Sequence, residues 1–387
     1  MAASPEPQSD WIRWRRDIHQ HPELGFREER TAARVAELLE SFGLETHTAI
    51  GGTGVVGVLQ KGSSRRAIGL RADIDALPIQ EANTFAHRSL HDDRFHGCGH
   101  DGHTTMLLAA AEQLASTGSI DGTVYFIFQP NEENGLGALA MMRDGLFERF
   151  AMDAIFGMHN MPGIPAGHFA VRKGAMMTFE DNFVIRICGL GGHASMPHRT
   201  RDPLVAAAAI ISALQAIVAR SLDPMASGVV SVTEIHTDGA RNVIPSNVTI
   251  KGDTRGLTAG TQQLIERRMR EIAVNIGRAH DVEVVVDYSH EFIVLNNSDR
   301  ETDLAIQAAV DTVGADSVVP DCEPAACSED FARMLAVRPG CYLLIGNGTE
   351  GHNGRPLHNP GYDFNDEVLA IGARYWVRLA ENILAPA

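Results

Sequence analysis

Cysteine, histidine and glutamate side chains recur along this chain directly after apolar, strand-like runs. The run 124–128 leads into Glu132 and Glu133, and the run 154–156 leads into His159. In open α/β sheets ligands bind outside the carboxyl ends of the strands, so polar groups that recur there belong most economically to one site. Side chains of these types suit a first-row transition metal better than Mg²⁺ or Ca²⁺. We therefore predict a metal-dependent hydrolase, with a site drawn from Cys98, His100, Glu132, Glu133, His159 and His358.

Cys98 and His100 stand one residue apart in a loop with glycines at positions 97, 99 and 102. Glycine lets a backbone fold tightly, so both side chains can converge on one point. A buried cysteine is more often only a small apolar group, but His96 and His103 flank this one. The cluster therefore predicts that Cys98 and His100 bind metal.

Glu132 and Glu133 form an adjacent carboxylate pair. Neighbouring side chains leave an extended backbone in opposite directions, so one carboxylate can bind metal while the other faces the metal's water. A metal lowers the pKa of water to about 7, and a nearby carboxylate can then accept the proton and return it to a leaving amine. The alternative is a solvated acidic turn, which the position after an apolar strand disfavours.

His159 and His358 are single histidines, a kind that is more often structural. Each follows an apolar run or a Gly/Pro loop, and this position favours metal binding. Asp73 and Asp75 are expected to orient a histidine or the backbone. No role is assigned to His19 or His21, and a structural role is predicted for Cys188, Cys322, Cys327 and Cys341.

The order of predicted elements indicates an α/β protein with an insertion. Residues 11–43 predict two helices, and a third, over 104–114, directly follows the Cys98/His100 loop. The middle section predicts the order β-α-β-β-α-β of a ferredoxin-like domain. Because His358 follows that section, the outer segments 1–179 and 293–387 should build one catalytic domain, with residues 180–292 inserted as a second domain.

The predicted insertion carries polar groups that could contact a substrate. His193 lies in a glycine-rich loop after a strand, and Asn242 and Arg255 lie in loops or at strand ends. His193 could donate to an oxyanion, and Arg255 or Asn242 could hold a carboxylate. A polar surface loop on an accessory domain is the alternative.

Composition excludes several classes of protein. The net charge of −16 over 387 residues argues against a nucleic-acid partner. Five scattered cysteines form no disulfide framework. The first ten residues lack an apolar secretion segment, and no stretch approaches ~20 uninterrupted apolar residues. We therefore expect a cytoplasmic protein without a membrane partner.

Seven ordered motifs resemble those of the di-metal amidohydrolases that include aminoacylases and glutamate carboxypeptidases. The resemblance is strongest to the branch that holds hippurate hydrolase and the plant indole-acetyl-amino-acid hydrolases. The motifs lie at 16–23 (RDIHQHPE), 70–78, 95–103 (FHGCGHDGH), 128–133 (FQPNEE), 191–198, 242–245 (NVIP) and 357–360 (LHNP). They are spread over nearly the whole chain.

This resemblance implies a mixed-sheet, zinc-peptidase-like catalytic domain with an inserted ferredoxin-like α+β lid or dimerisation domain. It implies that Glu132 is the general base and that two divalent metal ions per chain are bound by Cys98, His100, Glu133, His159 and His358. It also implies a homodimer through the inserted domain, whose His193 helps to bind the substrate. Two departures are Phe95-His96-Gly97-Cys98, where the branch usually has Met-His-Ala-Cys, and Asn131, where alanine is usual. Neither removes a ligand or the base.

The implied reaction is hydrolysis of the amide bond of a hippurate-like or other N-acyl amino acid. A dipeptidase or carboxypeptidase is the alternative on the same scaffold, and a non-catalytic ligand-binding relative is the alternative from another class. One thiolate with three imidazoles favours Zn²⁺ or Ni²⁺, and the resemblance admits Mn²⁺ and Co²⁺. We expect Zn²⁺ or Mn²⁺ ahead of Ni²⁺ or Co²⁺.

Overall fold

A computed structural model of the chain describes residues 7–386. These residues form two compact units. The first unit comprises residues 7–176, 296–323 and 329–386, and the second comprises Met177–Leu295 and Pro324–Ser328. The sequence placed the short segment 324–328 in the outer domain, whereas it packs with the second unit. The expectation about a secretion signal rests partly on residues 1–6, which lie outside the described residues.

The N-terminal part of the first unit alternates helices and strands. In chain order these are α1 (Pro7–Gln20), α2 (Glu29–Ser41), β1 (Glu45–Ile50), β2 (Gly54–Lys61), β3 (Ala67–Asp73), α3 (His100–Ser116), β4 (Gly122–Gln129), α4 (Gly137–Arg143), α5 (Leu146–Arg149), β5 (Ala154–Pro162), β6 (Phe169–Ala170) and β7 (Gly174–Met177). Strand β3 is buried along its full length. A strand buried along its whole length is typical of a sheet covered on both faces.

The second unit follows with β8 (Phe179–Cys188), β9 (Gly192–His193), α6 (Pro203–Ala216), β10 (Gly228–Thr237), β11 (Val243–Ile244), β12 (Asn247–Gly256), α7 (Ala259–Ala279) and β13 (Glu283–Phe292). A π-helical turn, Ile217–Ser221, extends α6. The four long strands form an antiparallel sheet in the order β10-β12-β8-β13, and the short strands β9 and β11 pair separately. Helices α6 and α7 bury their apolar faces in the core of this unit. The β-α-β-β-α-β order predicted from the sequence is therefore present, and its role as a lid or dimerisation domain stays a prediction.

The chain then completes the first unit with β14 (Leu295–Asn297), α8 (Asp299–Val313), β15 (Val318–Val319), α9 (Ala332–Leu335), β16 (Gly340–Gly348) and α10 (Leu369–Ile383). The large sheet has eight strands in the order β1-β2-β4-β3-β5-β16-β6-β15. Its central strands β4, β3, β5 and β16 run parallel, while β1, β2 and β6 pair antiparallel with a neighbour. The mixed α/β architecture expected from the sequence is confirmed.

One helix of the described chain, Pro203–Ser221, is long and apolar enough to cross a membrane by length and composition, with a mean hydropathy of 1.8. The sequence did not lead us to expect such a segment, because Ser212, Gln215 and Arg220 interrupt its apolar residues. Its residues Ala207, Ile210 and others at helical spacing are buried in the core of the second unit. Core packing accounts for this buried face, whereas Leu204, Val205 and Val218 of the same segment are exposed.

Two element boundaries differ from those predicted, and each moves a candidate site residue. Helix α3 begins at His100 rather than after the loop, because Gly99 is its N-cap in a left-handed conformation (φ 90°). His159 lies inside strand β5 rather than beyond its end. Strand β12 runs on to Gly256, so Arg255 lies at a strand end, one of its two predicted positions, and pairs with Glu180 of β8.

Candidate metal centre

The Cys98/His100 segment is fixed by a glycine that no other residue could replace without movement. Gly99 has φ 90°, and a Cβ there would lie 2.4 Å from Nδ2 of Asn160 and 2.6 Å from Oη of Tyr362. Its close approach places Cys98 before the helix and His100 in its first turn. Asn160 Nδ2 also donates to the carbonyl oxygen of Cys98 at 2.6 Å. Asn160 of strand β5 therefore fixes the position of this loop.

Two triplets of candidate ligands share the thiol of Cys98. Cys98, His100 and His159 each offer a ligand atom within 4.8 Å of the others, and Cys98, Glu133 and His358 do the same. Within the first triplet, Sγ of Cys98 lies 3.4 Å from Nε2 of His159. Within the second, Nε2 of His358 lies 3.5 Å from Oε2 of Glu133. The structure thus brings together the five residues predicted as metal ligands.

Unpartnered buried atoms mark where a cation fits. Among residues 7–386, Nε2 of His100 and Oε1 of Glu133 are buried without a hydrogen-bond partner, and they lie 3.8 Å apart. Buried polar atoms are nearly always paired, so each such exception needs an explanation. A divalent ion accepts one lone pair from each atom, and thiolate, imidazole and carboxylate are ligands that Zn²⁺ takes readily. The residues present therefore fit a metal centre.

Asp75 and Asp73 orient the candidate ligands from behind. Asp75 Oδ1 lies 3.1 Å from Nδ1 of His100, and its Oδ2 accepts from the backbone N–H of Glu133 at 3.1 Å. Asp73 Oδ1 lies 2.6 Å from Nδ1 of His103. His103 Nε2 in turn accepts from the backbone N–H of Asn160 at 2.9 Å. A carboxylate behind a histidine fixes the ring's tautomer and orientation, as the sequence predicted for Asp73 and Asp75.

Glu132 lies beside this cluster in a second group of buried acids. Its side chain is 6% exposed, and it offers an oxygen within 4.8 Å of ligand atoms on Glu329 and Asp330. The backbone N–H of Asp330 points to Oε1 of Glu132 at 3.4 Å. Glu132 also offers an oxygen within 4.8 Å of ligand atoms on His100 and Glu133. It therefore contacts the candidate ligands on one side and a pair of acids on the other.

Arg71, which the sequence left without a role, is the cation that balances these acids. It is fully buried and donates to Asp73 at 2.8 Å, to Glu329 at 2.9 Å and to Asp330 at 3.2 Å. Its Nε donates to Oε1 of Gln129 at 2.9 Å. The sequence contained two signals for this cluster, an arginine within strand β3 and an acidic pair at 329–330. Nothing in their spacing predicted that they meet.

The pKa values at the site are shifted by burial and by an excess of negatively charged side chains. Burial raises the pKa of Glu132, and the carboxylates of Glu329 and Glu133 raise it further. Burial likewise raises the pKa of Glu133 to about 7. Burial opposes protonation of His100, but Asp73 and its neighbouring carboxylates outweigh it and raise that pKa to about 10. The site thus favours bound protons or other positive charge, as expected for an excess of buried carboxylates.

The remaining predicted residues lie in the second unit. The His193 side chain is exposed, and its Nδ1 lies 2.8 Å from Oγ of Ser195. Asn242 is exposed in the turn before β11, where its carbonyl oxygen accepts from the N–H of Ala194 at 3.0 Å. Arg255 already pairs with Glu180 at 2.8 Å and with Asp253 at 2.7 Å. A substrate carboxylate would have to compete with these pairs at Arg255.

Comparison with known proteins places similarity along nearly the whole chain. A model of peptidase family M20/M25/M40 matches residues 69–382. Hippurate hydrolase of Campylobacter jejuni is 42% identical over 377 residues, covering 97% of each chain. IAA-amino acid hydrolase ILR1-like 2 of Arabidopsis thaliana is 36% identical, covering 99% of this chain and 87% of that protein. N-acetylcysteine deacetylase of Bacillus subtilis is 34% identical, covering 96% of both.

Solved structures agree with these similarities. A dinuclear metal binding peptidase of the M20 family from Bacillus subtilis superposes with a TM-score of 0.84 at 31% identity, and the match covers 98% of each chain. The family match over residues 69–382 includes every residue of the candidate metal centre.

Proposed function

The chain belongs to peptidase family M20/M25/M40 and is an amidohydrolase, and we propose that it cleaves the amide bond of N-acyl amino acids. The observation that carries this proposal is the buried carboxylate of Glu132 beside a cluster of Cys98, His100, Glu133 and two further histidines. Three relatives are named for the substrates that they hydrolyse or deacetylate: hippurate, IAA-amino acids and N-acetylcysteine. Each of these joins an acyl group to an amino acid through an amide.

In the proposed mechanism Cys98, His100, Glu133, His159 and His358 would hold two divalent ions. When bound, such ions polarise the substrate carbonyl and lower the pKa of water. Glu132 accepts a proton from the attacking water and returns it to the nitrogen of the leaving amino acid, so that one carboxylate serves both half-reactions. Asp75 hydrogen-bonds both His100 and the backbone N–H of Glu133, and so fixes the positions of these two candidate ligands beside Glu132.

The test is a substrate panel with metal-reconstituted protein. Apoprotein loaded separately with Zn²⁺, Mn²⁺, Ni²⁺ or Co²⁺ is assayed with benzoyl-, acetyl- and indole-acetyl-amino acids for release of the free amino acid. We expect turnover of at least one N-acyl series, and we expect Zn²⁺ or Mn²⁺ to support it best. No turnover across the panel with two ions bound per chain would contradict the proposal and favour a non-catalytic ligand-binding relative.

Peptide hydrolysis is the second candidate function, because two relatives of Saccharolobus solfataricus are named thermostable carboxypeptidases, each 34% identical over 97% of this chain. The same ligands and base would serve, since a peptide bond is also an amide. Dipeptides and blocked peptides assayed beside the N-acyl series separate the two functions. A higher kcat/KM for dipeptides than for every N-acyl amino acid would favour the peptidase.

The second unit supports a further part of the proposal, a homodimer. Its sheet ends in strand β10, which among the described residues has no neighbour on its outer edge. Exposed apolar side chains lie on this strand and on helix α6, namely Val229, Ile235, Leu204 and Val205. An unpaired strand edge is a template for a second strand, and like edges join through a two-fold axis. A second copy of the chain is the proposed partner.

His193 is proposed to donate to the oxyanion of the substrate, in its own chain or in the partner copy. His193→Ala should lower kcat while metal content and fold stay intact. Mixing this variant with Glu132→Gln, each inactive alone, should restore part of the activity through hybrid dimers. A mixture that stays inactive after demonstrated subunit exchange would restrict His193 to its own chain or remove it from the mechanism.

The cytoplasmic location also stays a prediction.

A further inference from the structure

The loop that carries the two site glutamates leaves strand β4 through a left-handed residue. Asn131 has φ 49° and is buried, and Glu132 and Glu133 follow it directly. Asparagine is among the few residues other than glycine that enter this region readily. Because Asn131 directly precedes Glu132, the direction of that carboxylate depends on how firmly Asn131 is held.

A carboxylate from a distant helix holds this turn by its backbone. Oε1 of Glu28 accepts from the N–H of Asn131 at 2.9 Å, and Oε2 accepts from the hydroxyl of Thr53 at 2.5 Å. Glu28 is fully buried, and among residues 7–386 it forms no ion pair with a cationic side chain. Burying an unpaired carboxylate is costly unless hydrogen bonds compensate for its lost hydration, and these two hydrogen bonds supply that compensation.

The carboxylate of Glu28 does not cap helix α2. Glu28 occupies the N-cap position of α2, yet its side chain makes no capping hydrogen bond to that helix. Glu23 caps the helix instead, accepting from the N–H of Arg30 at 3.0 Å and from the N–H of Thr31 at 2.8 Å. The carboxylate of Glu28 is thereby directed away from its own helix and towards the loop of the active site.

The side chain of Asn131 also packs against the segment between α1 and α2. A Cβ at Gly25 would lie 1.7 Å from Oδ1 of Asn131, so the two residues pack with no space between them. Asn134 Nδ2 donates to the same Oδ1. The segment between α1 and α2 therefore touches the turn at both its backbone and its side chain.

We propose that Glu28 is a positioning residue for Glu132, acting through the backbone N–H of Asn131. Glu28 does not touch the reacting atoms; it holds the left-handed turn that aims the carboxylate. This inference rests on the proposed role of Glu132 as general base. A displacement of about 1 Å at a catalytic group can lower the rate by about 10²-fold, which sets the scale of the effect.

The test compares Glu28→Ala with Glu23→Ala, a matched control that removes a carboxylate from the same helix end without touching Asn131. Both variants should lose thermal stability. Only Glu28→Ala should lower kcat, by about 10- to 100-fold, with KM nearly unchanged and two ions retained per chain, since an interaction that acts in the transition state affects kcat and kcat/KM equally. Glu28→Gln, whose amide oxygen can still accept from Asn131, should restore most of the rate.

Hydrogen exchange of the peptide that contains Asn131 gives a readout independent of activity. Exchange at this amide should rise in Glu28→Ala and stay unchanged in Glu23→Ala. If wild type turns over no substrate, the proposed function fails, while the exchange difference still decides whether Glu28 holds the turn. Should Glu28→Ala not fold, Thr53→Val removes the other hydrogen bond of the carboxylate and should raise exchange and lower kcat to a smaller extent. Equal losses of kcat in the two alanine variants, or an unchanged kcat despite faster exchange, would overturn the inference.

Discussion

Replacement of Glu132 by glutamine separates the proposed base from the proposed metal ligands. Glutamine has the same shape, and its amide oxygen can still accept from the N–H of Asp330, which lies 3.4 Å from Oε1 in the wild type. Its amide group can donate to the carboxylates of Glu329 or Asp330 that surround the position. The fold and the other ligands should therefore be preserved, while the ability to accept a proton is lost.

The expected loss of turnover is ~10²–10⁴-fold, the usual contribution of a general base, which corresponds to about 3–5 kcal/mol of transition-state stabilisation. Metal content, measured by elemental analysis, should stay at two ions per chain. Glu133→Gln is the matched control, because Glu133 lies 3.8 Å from His100 and 3.5 Å from His358. That variant should lose metal as well as turnover.

Stability of the metal-free protein provides a second measurement on the same variant. Burial and neighbouring carboxylates raise the pKa of Glu132 above its ordinary value of 4.5. The folded state therefore binds this proton more tightly than the unfolded state, and the resulting stability is present below pH 4.5 and lost as pH rises through the folded pKa. Glutamine does not titrate, so the melting temperature of Glu132→Gln should gain on that of wild type above pH 4.5. Loss of metal in Glu132→Gln with retention in Glu133→Gln would show that the two glutamates have the opposite roles.

Three further perturbations test other parts of the structure. Cys98→Ala should lower metal content below two ions per chain and abolish turnover, because the thiol belongs to both ligand triplets; two ions found by elemental analysis would contradict the assignment. Burial opposes protonation of His19, but Asp101 raises its pKa to about 9 from 6.5, so its stabilisation is full below pH 6.5 and lost as pH rises through about 9. The deficit of His19→Gln in unfolding free energy, about 3 kcal/mol at acid pH, should shrink over that window, and a pH-independent deficit would refute the protonated state. Gly102→Ala would place a Cβ 2.2 Å from the ring of Phe364 and should cost about 1–3 kcal/mol in chemical denaturation, whereas an unchanged midpoint would show that helix α3 can shift freely.

The parts of the site that sequence could predict are those whose chemistry is local. Cys98 and His100 are close in the chain, with a glycine between them, and their convergence needs only the backbone freedom of that glycine. Glu132 and Glu133 follow a buried strand, so their place at the edge of the parallel sheet follows from the apolar pattern. Amphipathic and apolar periodicity likewise predicted the order of the elements in the second unit.

Boundaries at the site were less predictable because tertiary packing extends elements beyond their local signals. Helix α3 begins at His100 since Gly99 packs against Asn160 and Tyr362, which the sequence near residue 100 does not reveal. Strand β5 continues through His159 because it pairs with β16 on one side.

Sequence alone thus determined which residue types were available for metal chemistry and how the chain alternates between elements. Only the tertiary structure decided which charged groups surround the base. Arg71 binds Glu329 and Asp330, which lie about two-thirds of the chain length away in sequence. Glu28, at the start of α2, accepts a hydrogen bond from the N–H of Asn131. In the sequence each of these looks like an ordinary charged residue, because burial and pairing are properties of the folded chain. Their energies depend on the distances and the low polarity that folding creates, and no spacing along the sequence records either.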